Sequence, residues 1–311
     1  MNKQVAIIGQ SGTTGLQIYQ RLSHRDDITV ITIPEAMRKD DQAIYGAAEQ
    51  ADLIFLCLPD DAAKHVVALT SDLHCKIIDT STAHRTMSGW AYGFPELGSS
   101  FKERIKTNQY IANPGCHASG VISIMAPLIQ SGIVPSTYPL SVTSLTGYSG
   151  GGKSMIADYE SENKELPLFS PQSYALGQMH KHLPEIVTYT QLAEPPIFLP
   201  VVDDYYSGML VAVGLQGHLL SNGSIASVHA ALANTYGDGP VIQVAPLHSA
   251  GKMLAANGLT GTDKMVLYVT GNDDRITVYA MYDNLGKGAS GAAVQCMNLA
   301  LGLEETKGLI L

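Results

Sequence analysis

The amino-acid sequence predicts an α/β protein with two domains: a Rossmann-type doubly wound parallel sheet, and an α+β domain with a mixed or antiparallel sheet. Short apolar runs alternate with helical patterns over about the first 80 residues, which is typical of parallel βαβ units. A glycine-rich turn joins the first apolar run to the first helical pattern. After Gly120, longer strands follow one another with fewer helices between them, which indicates a different kind of sheet.

The first domain is predicted to contain short strands that are apolar throughout, because strands of a parallel sheet are buried on both faces. These strands are Val5–Ile8, Ile28–Ile33, Leu53–Leu58 and Lys76–Asp79. The predicted helices are Thr14–Ser23, Asp41–Gln50 and Asp60–Thr70. The apolar run VISIMAPLI predicts a further helix directly after Cys116 and Gly120.

The second domain is predicted to have longer strands, several of them adjacent along the chain. They are Leu140–Thr146, Ile197–Val202, Met209–Gly214, Met265–Thr270 and Arg275–Tyr282. The segment Lys164–Gln178 is rich in Pro, Ser and Gln and is predicted to be a long loop. A final helix is predicted at Ser290–Leu301, after the segment GKGASG.

Composition excludes several classes of protein. The 311 residues carry 19 Lys and Arg against 28 Asp and Glu, so the net charge is −9, and no basic stripe could meet nucleic acid or an acidic membrane. The four cysteines are scattered without a CxxC pair, so neither a zinc knuckle nor a disulfide framework is indicated. No apolar run reaches the length of a signal peptide or a membrane helix, and we expect a cytoplasmic protein.

The turn after the first strand has the pattern of a dinucleotide-binding turn, in the form GxxGxxG. Its candidate ligand-binding residues are Gly9, Ser11, Gly12, Thr13, Thr14 and Gly15. Glycines in a strand-to-helix turn let backbone N–H groups approach a pyrophosphate. The same pattern would also suit a tight turn without a ligand.

The choice of dinucleotide depends on the residues after the second strand. An acidic side chain there would accept a bond from the adenosine ribose, whereas a cation would bind a 2′-phosphate. Arg38 and Lys39 favour NADP, although Glu35 lies close to them in sequence.

Cys116 lies in the stretch NPGCHASG, just before an apolar helical run. At the beginning of a helix, backbone N–H groups point outward and the helix dipole lowers the pKa of a thiol. This position suits a nucleophile, whereas a cysteine that only packs would lie inside the run. A cysteine that merely fills a turn is the alternative.

The string HKHLPE contains a second candidate group. Pro184 disfavours a helical Leu183, so we expect an extended segment in which His180 and His182 point to the same side and Glu185 follows near the start of a helix. Such imidazoles could act as general acid and base or bind a metal. We favour acid–base chemistry and predict no metal, because no other cluster has the spacing of metal ligands.

Three further segments follow predicted strands and carry polar residues. Ser149 and Lys153 belong to GYSGGGK, and Ser81 and Arg85 belong to STAHR, at the carboxyl edge of the first sheet where ligands collect. We predict that these four residues bind substrate. Asn284, in the string DNLGKGASG, is predicted to contact the cofactor.

Taken together, these motifs resemble one family, the N-acetyl-gamma-glutamyl-phosphate reductases of arginine biosynthesis. The resemblance spans nearly the whole chain, and STAHR, YGFPEL and GYSGGGK are similar to the shorter of its two branches, type 2. It implies a nucleotide-binding domain at 1–116, to which 284–311 returns, and a catalytic and oligomerisation domain at 117–283. It also implies a semialdehyde dehydrogenase-like fold and a homodimer or homotetramer.

The resemblance further implies a reaction. Cys116 matches the nucleophile of the family, which attacks a small-molecule acyl phosphate and forms a thioester that NADPH reduces. We assign the acid–base role to His182, with His180 and Glu185 orienting it or binding substrate. The alternatives are an aspartate-semialdehyde dehydrogenase-like reductase, a cysteine acyl hydrolase that needs no cofactor, and a nucleotide-sensing protein without activity.

Overall fold

A computed structural model describes residues 2–221, 223–237 and 239–311 of the chain. The chain divides into two compact units. Unit 1 comprises Met1–Pro114 and Ala289–Leu309, and unit 2 comprises Gly115–Gly288 and Ile310–Leu311. The chain therefore passes from unit 1 to unit 2 one residue before Cys116.

The helices and strands of the described residues lie close to the predicted ones. The strands are β1 Lys3–Ile8, β2 Ile28–Ile31, β3 Leu53–Leu56, β4 Lys76–Asp79, β5 Ala91–Tyr92, β6 Tyr110–Ala112, β7 Ser141–Gly147, β8 Gln172–Ser173, β9 Ile197–Asp203, β10 Met209–Gln216, β11 Ile242–Val244, β12 Met265–Gly271 and β13 Arg275–Tyr282. The α-helices are α1 Thr13–Leu22, α2 Asp41–Gln50, α3 Asp60–Leu69, α4 Ser99–Thr107, α5 Cys116–Gln130, α6 Gly152–Tyr159, α7 Leu183–Thr190, α8 Ile225–Tyr236 and α9 Gly291–Ala300.

Unit 1 contains a parallel sheet with the strand order β2-β1-β3-β4-β6-β5. Its strands are apolar because both faces are covered. On β1, Val5 and Ile7 pack in a core with residues of α1 and α9, whereas Ala6 and Ile8 pack on the other face with residues of α2 and α3. The prediction of a doubly wound parallel sheet is confirmed.

Helix α9 belongs to unit 1, although it follows unit 2 in the chain. A π-helical turn at Gly286–Ser290 precedes it. Ala293, Val294 and Met297 of α9 are fully buried in the same core as β1. The whole helix is buried, and its two polar side chains with amide groups are hydrogen-bonded, Gln295 to Glu96 and Glu305 and Asn298 to Arg25.

Unit 2 contains a mixed sheet with the order β11-β12-β13-β10-β7-β9-β8. Strand β10 pairs antiparallel with β7 and β13, whereas β7 pairs parallel with β9. Helix α5 packs on β10 and β13. On β9, Phe198 is 1% exposed while Ile197 and Leu199 are 60% and 44% exposed, so one face of this strand is covered and the other is not.

The predicted loop at 164–178 contains two short regular segments. These are a 3₁₀ helix at Leu166–Phe169 and the two-residue strand β8, which pairs with β9. In the part of the chain that the structure describes, no helix combines the length and the apolar character that crossing a bilayer requires.

Candidate active site

Two glycines of the turn in unit 1, Gly9 and Gly15, lie so close to neighbouring backbone that no side chain would fit there. Gly9 has φ +86°, and a Cβ there would lie 2.3 Å from the carbonyl oxygen of Cys57. A Cβ at Gly15 would lie 2.5 Å from the carbonyl oxygen of Gly9. Gly12 precedes the first residue of α1 and offers no side chain to cap the helix. The backbone amides at this helix end are therefore not covered by a capping side chain, which suits a phosphate.

A cavity of about 300 Å³ joins this turn to the segment after β2. It is lined by Gly9 and Ser11 on one side and by Glu35 and Arg38 on the other. Arg38 forms an ion pair with Glu35, and both side chains are largely exposed. Lys39 is exposed next to Arg38. The segment that the sequence singles out for the ribose therefore does face the glycine turn.

Two threonines begin α1 directly after the turn. The Oγ1 atom of Thr13 is buried and has no hydrogen-bond partner within the described residues. A buried hydroxyl without a partner costs free energy that a bound ligand could recover. Thr13, the half-buried Thr14 and the uncapped helix end therefore fit a phosphate-bearing cofactor.

Cys116 is the first residue of α5 and is half-buried. The preceding residue, Gly115, is extended and no side chain caps the helix. The N–H group of Gly115 donates to the Glu185 carboxylate at 2.8 Å, and Glu185 is 1% exposed. Helix α7 thus fixes the backbone immediately before the thiol.

The two histidines of HKHLPE lie together, but in a turn and not in an extended segment. The Leu183 N–H donates to the His180 carbonyl oxygen, and Leu183 is the first residue of α7, so the expectation of an extended Leu183 is wrong. A proline in the first turn of a helix needs no intrahelical donor, which allows this arrangement. The His180 and His182 rings are 4.7 Å apart, and Glu185 is in the first turn as expected.

A third imidazole, that of His117, completes this cluster and was not identified from the sequence. Its ring centroid lies 5.4 Å from that of His180 and 5.7 Å from that of His182. Its Nδ1 is 2.7 Å from Ser144 Oγ, and its Nε2 is 2.6 Å from the Tyr174 hydroxyl. In the sequence, the feature that points to His117 is its position directly after Cys116.

The electrostatics of His117 differ from those of an ordinary histidine. Burial, with smaller electrostatic effects of His180 and Lys181, lowers the pKa of His117 to about 3. The ring is therefore neutral near pH 7 and cannot act as a general acid there. Burial and the charge of Cys116 raise the pKa of Tyr174, so its hydroxyl remains protonated.

Asn284 and Ser149 form one hydrogen-bonded pair in unit 2. The Asn284 Nδ2 donates to Ser149 Oγ at 3.0 Å, and its Oδ1 accepts from the Gly208 N–H at 2.8 Å. Both side chains are about 2% exposed. Lys153 is exposed on α6. The structure thus joins a residue predicted for the cofactor to one predicted for the substrate.

Ser81 and Arg85 lie in unit 1, in a buried polar cluster after β4. Asp79 accepts from the Ser81 hydroxyl at 2.7 Å and is 2.6 Å from His84 Nδ1. The Arg85 Nε donates to the Asn113 carbonyl oxygen at 2.9 Å, and the side chain is 7% exposed. The Arg85 bond joins the segment after β4 to the residue that follows β6.

Within residues 2–221, 223–237 and 239–311, no group of three or more His, Cys, Asp and Glu side chains has the arrangement of a metal site.

Two family models together match most of the chain. One, described as "Semialdehyde dehydrogenase, NAD binding domain", matches residues 4–107. The other, described as "Semialdehyde dehydrogenase, dimerisation domain", matches residues 116–284.

Several curated proteins are similar over nearly their full length. The N-acetyl-gamma-glutamyl-phosphate reductase 2 of a Nostoc species is 42% identical, covering 99% of this chain and 100% of that protein. The reductases of a Chelativorans species and of Brucella ovis are each 44% identical, over 97% of this chain and at least 99% of theirs.

Solved structures share the fold at much lower sequence identity. Aspartate semialdehyde dehydrogenase II of Vibrio cholerae superimposes with a TM-score of 0.74 at 17% identity, covering 97% of this chain and 99% of that one. The Candida albicans aspartate semialdehyde dehydrogenase, solved with NADP, gives a TM-score of 0.67 at 13% identity over 96% and 98% of the two chains.

Proposed function

Because this chain belongs to the N-acetyl-gamma-glutamyl-phosphate reductases of the semialdehyde dehydrogenase family, we propose that it reduces N-acetyl-L-glutamyl 5-phosphate to N-acetyl-L-glutamate 5-semialdehyde and phosphate. NADPH is the reductant, and the reaction is a step of arginine biosynthesis. The observation that carries the proposal is Cys116 as the first residue of a helix whose N-cap residue is a glycine, directly before His117, whose ring lies against those of His180 and His182.

The reaction begins with the Cys116 thiolate, which attacks the acyl carbon of the substrate. The C–S bond forms, the C–O bond to phosphate breaks, and phosphate leaves with the electron pair. The acyl group is then held as a thioester, which divides a difficult step into two easier ones. The negative oxygen that forms during the attack is stabilised by backbone N–H groups in the first turn of α5.

The nicotinamide dinucleotide, when bound, supplies the hydride that converts the thioester to the oxidation level of an aldehyde. The backbone of Gly9, Ser11, Gly12 and Gly15 would hold its pyrophosphate, together with the Thr13 and Thr14 hydroxyls at the start of α1. The buried Thr13 Oγ1 supports this assignment, because a phosphate oxygen would accept its hydrogen bond. We assign Asn284 as a further cofactor contact.

The preference for NADP is assigned to Arg38 and Lys39. Arg38 lines the cavity that contains the glycine turn, and its guanidinium group could bind a 2′-phosphate through two hydrogen bonds. Glu35, which pairs with Arg38, competes with that phosphate. The preference therefore depends on the balance between one cation and its neighbouring acid.

We assign the general acid and general base roles of the reaction to His182. It protonates the oxygen of the hemithioacetal as that oxygen develops negative charge, and it removes the proton again when the C–S bond breaks and the aldehyde leaves. His180 and Glu185 are positioning residues. The His182 N–H donates to His180 Nδ1 at 3.2 Å, and Glu185 holds the backbone before Cys116.

We assign Ser81, Arg85, Ser149 and Lys153 to substrate binding. Lys153 is an exposed cation and suits the phosphate group of the substrate. Ser149, bonded to Asn284, is a neutral donor for the carbonyl or carboxylate groups. Ser81, bonded to Asp79, and Arg85, bonded to the Asn113 carbonyl oxygen, lie after β4 at the carboxyl edge of the parallel sheet, where ligands collect.

The oligomer that we propose is a homodimer or homotetramer, formed through the uncovered face of the sheet in unit 2. Ile197 and Leu199 on β9 expose large apolar side chains there, which favours burial against a second copy. The description of the matching family model, a dimerisation domain, supports this. Sedimentation velocity measures the state directly, and a monomer at micromolar concentration would contradict it.

A thiolate nucleophile needs a reducing environment, and the four cysteines are free thiols in the structure. We therefore assign the protein to the cytoplasm.

The substitution Cys116→Ser tests the proposed function. It should abolish thioester formation and reduce turnover by more than about a thousandfold, because a serine hydroxyl is far less nucleophilic. Binding of NADPH, measured by calorimetry, should stay within about twofold. Cys75→Ser is the matched control, because burial raises the pKa of the Cys75 thiol and keeps it unreactive.

The same assays separate the alternatives. Retained reductase activity in Cys116→Ser would refute the nucleophile. Hydrolysis of the acyl phosphate without any change in nicotinamide absorbance would indicate an acyl hydrolase. An enzyme that prefers an acyl phosphate with a free amino group over the N-acetylated one would indicate an aspartate-semialdehyde dehydrogenase.

A further inference from the structure

The hydroxyl group of Tyr282 enters the first turn of α5. It donates to the carbonyl oxygen of Cys116 at 2.6 Å and accepts from the N–H group of Gly120 at 3.1 Å. In a regular α-helix these two backbone groups pair directly with each other. A tyrosine from the end of β13 therefore bridges the first turn of the helix at the nucleophile itself.

Residue 120 is a glycine, and the absence of a side chain there leaves room for the Tyr282 hydroxyl. A Cβ on Gly120 would lie 2.7 Å from the Tyr282 oxygen and 2.5 Å from Val211 Cγ2. Any other residue would push the tyrosine or β10 away from the helix. Tyr282 is fully buried and the Gly120 position is fully buried.

The hydrogen bond from Tyr282 acts on the peptide group that joins Cys116 to His117. Its oxygen is the Cys116 carbonyl, and its nitrogen is the N–H of His117, which points in the opposite direction, out of the beginning of the helix. The N-cap residue, Gly115, has no side chain that could cap this end of the helix. Donation to a carbonyl fixes the peptide plane and strengthens the N–H at the other end as a donor.

We propose that Tyr282 is a positioning residue that orients and polarises the Cys116–His117 peptide group, so that the His117 N–H stabilises the oxyanion formed on the acyl group at Cys116. The role rests on the proposed function, since it requires an acyl group on Cys116. The hydroxyl remains a donor throughout the working pH range, because burial and the charge of Cys116 raise the pKa of Tyr282 well above 10.

The test is Tyr282→Phe, measured by two reactions of the same sulfur. Reduction of the acyl phosphate passes through an oxyanion, and its kcat should fall about 10- to 100-fold while KM changes less than about twofold. Alkylation of Cys116 by iodoacetamide forms no oxyanion. The rate of alkylation should therefore stay within about twofold of the wild-type rate at each pH.

The matched control is Tyr236→Phe. The Tyr236 hydroxyl donates to the Ser123 carbonyl oxygen, also at 2.6 Å and also in α5, but farther along the helix. Both variants remove one buried hydroxyl that bonds to a helix carbonyl, so their melting temperatures should fall similarly. Only Tyr282→Phe should lose turnover.

A third variant restores a donor. p-Aminophenylalanine incorporated at position 282 retains an N–H that can reach the Cys116 carbonyl, and it should recover part of the lost kcat. If Tyr282→Phe does not fold, this variant still decides the matter, because a weaker donor should lower kcat several-fold at an unchanged alkylation rate.

Several results would overturn the role of Tyr282. These are a wild-type kcat in Tyr282→Phe, an equal loss in Tyr236→Phe, or a parallel loss of the alkylation rate. A wild-type protein that reduces no acyl phosphate overturns the proposed function and the oxyanion role together. An active wild type with an equally active Tyr282→Phe overturns only the role of Tyr282.

Discussion

The three imidazoles of unit 2 have different surroundings and therefore different chemistry. His117 is 3% exposed and engages a hydroxyl at each ring nitrogen, so it is a neutral structural partner. His180 accepts a bond from the His182 backbone, which fixes one of its nitrogens as an acceptor. His182 is left as the imidazole best suited to carry a proton.

We expect His182→Asn to lower kcat by about 10²- to 10⁴-fold, the usual contribution of a general acid or base. Asparagine keeps a polar side chain but cannot transfer a proton near neutral pH. Turnover with saturating substrate and NADPH measures the effect. His180→Asn should lose much less; if the two variants exchange these behaviours, His180 carries the proton.

Substitutions of Arg38 and Glu35, which we place at the ribose end of the cofactor, should have opposite effects on the KM for NADPH. Arg38→Ala should raise the KM for NADPH about tenfold by removing a phosphate ligand, with little change in the KM for NADH. Glu35→Gln removes the competing acid and should lower the KM for NADPH. Initial rates with both cofactors test this, and equal changes for NADPH and NADH would contradict it.

The sequence identifies site residues whose neighbours along the chain are unusual. Cys116 follows Pro-Gly, and His180 and His182 flank one lysine before a proline. Ser144, Tyr174 and Tyr282 come from distant strands and loops, and their roles arise only from contacts across the fold. No local pattern marks a tyrosine at the end of an ordinary strand as a hydrogen-bond partner of Cys116.

At the scale of elements, short strands buried on both faces were predicted closely, because continuous apolar runs bounded by turn residues are a strong signal. In the parallel sheet, the bounds of β4 agree to the residue and β3 is shorter than expected by two residues. In the mixed sheet of unit 2, the bounds of the longer strand β13 also agree to the residue. The start of α7 was misjudged, since a residue before proline usually avoids the helix. There, the first-turn position of Pro184 outweighed that preference.

Helix α7 stabilises the start of α5 through one hydrogen bond, so a substitution on one should weaken the other. Glu185→Ala leaves the buried Gly115 N–H without its acceptor, and we expect a loss of about 1–3 kcal/mol in the free energy of unfolding. Urea denaturation measures it. Glu185→Gln keeps an acceptor oxygen and should lose less; equal losses would show that the charge, not the bond, matters.

For the whole molecule, acid should destabilise the two units in different pH ranges. In unit 2, His117 has a pKa of about 3 when folded and about 6.5 when unfolded, so unfolding takes up a proton between these values. The stability that the neutral His117 ring contributes is fully present above pH 6.5. It is lost as the pH falls towards 3, at about 1.4 kcal/mol per pH unit. In unit 1, hydrogen bonds from Arg25 hold the pKa of Asp27 well below its usual value, so that contribution is lost only below about pH 4.

We therefore predict that unit 2 loses stability first as the pH is lowered from 7 to 4. Hydrogen exchange of peptides from α5 measures unit 2, and the fluorescence of Trp90, the one tryptophan of the sequence, measures unit 1. His117→Asn cannot take up the proton and should flatten the pH dependence of α5. An unchanged slope in that variant would contradict the assignment.

The placement of α9 determines the order in which a ribosome can complete this protein. The parallel sheet of unit 1 lacks the helix that covers one of its faces until residues 115–288 of unit 2 have been synthesised. Arg25 likewise cannot form its hydrogen bonds with the Asn298 side chain and the Lys307 carbonyl oxygen until those residues have been synthesised. The nascent chain can therefore fold residues 115–288, which include Cys116, while one face of the parallel sheet of unit 1 still lacks its helix.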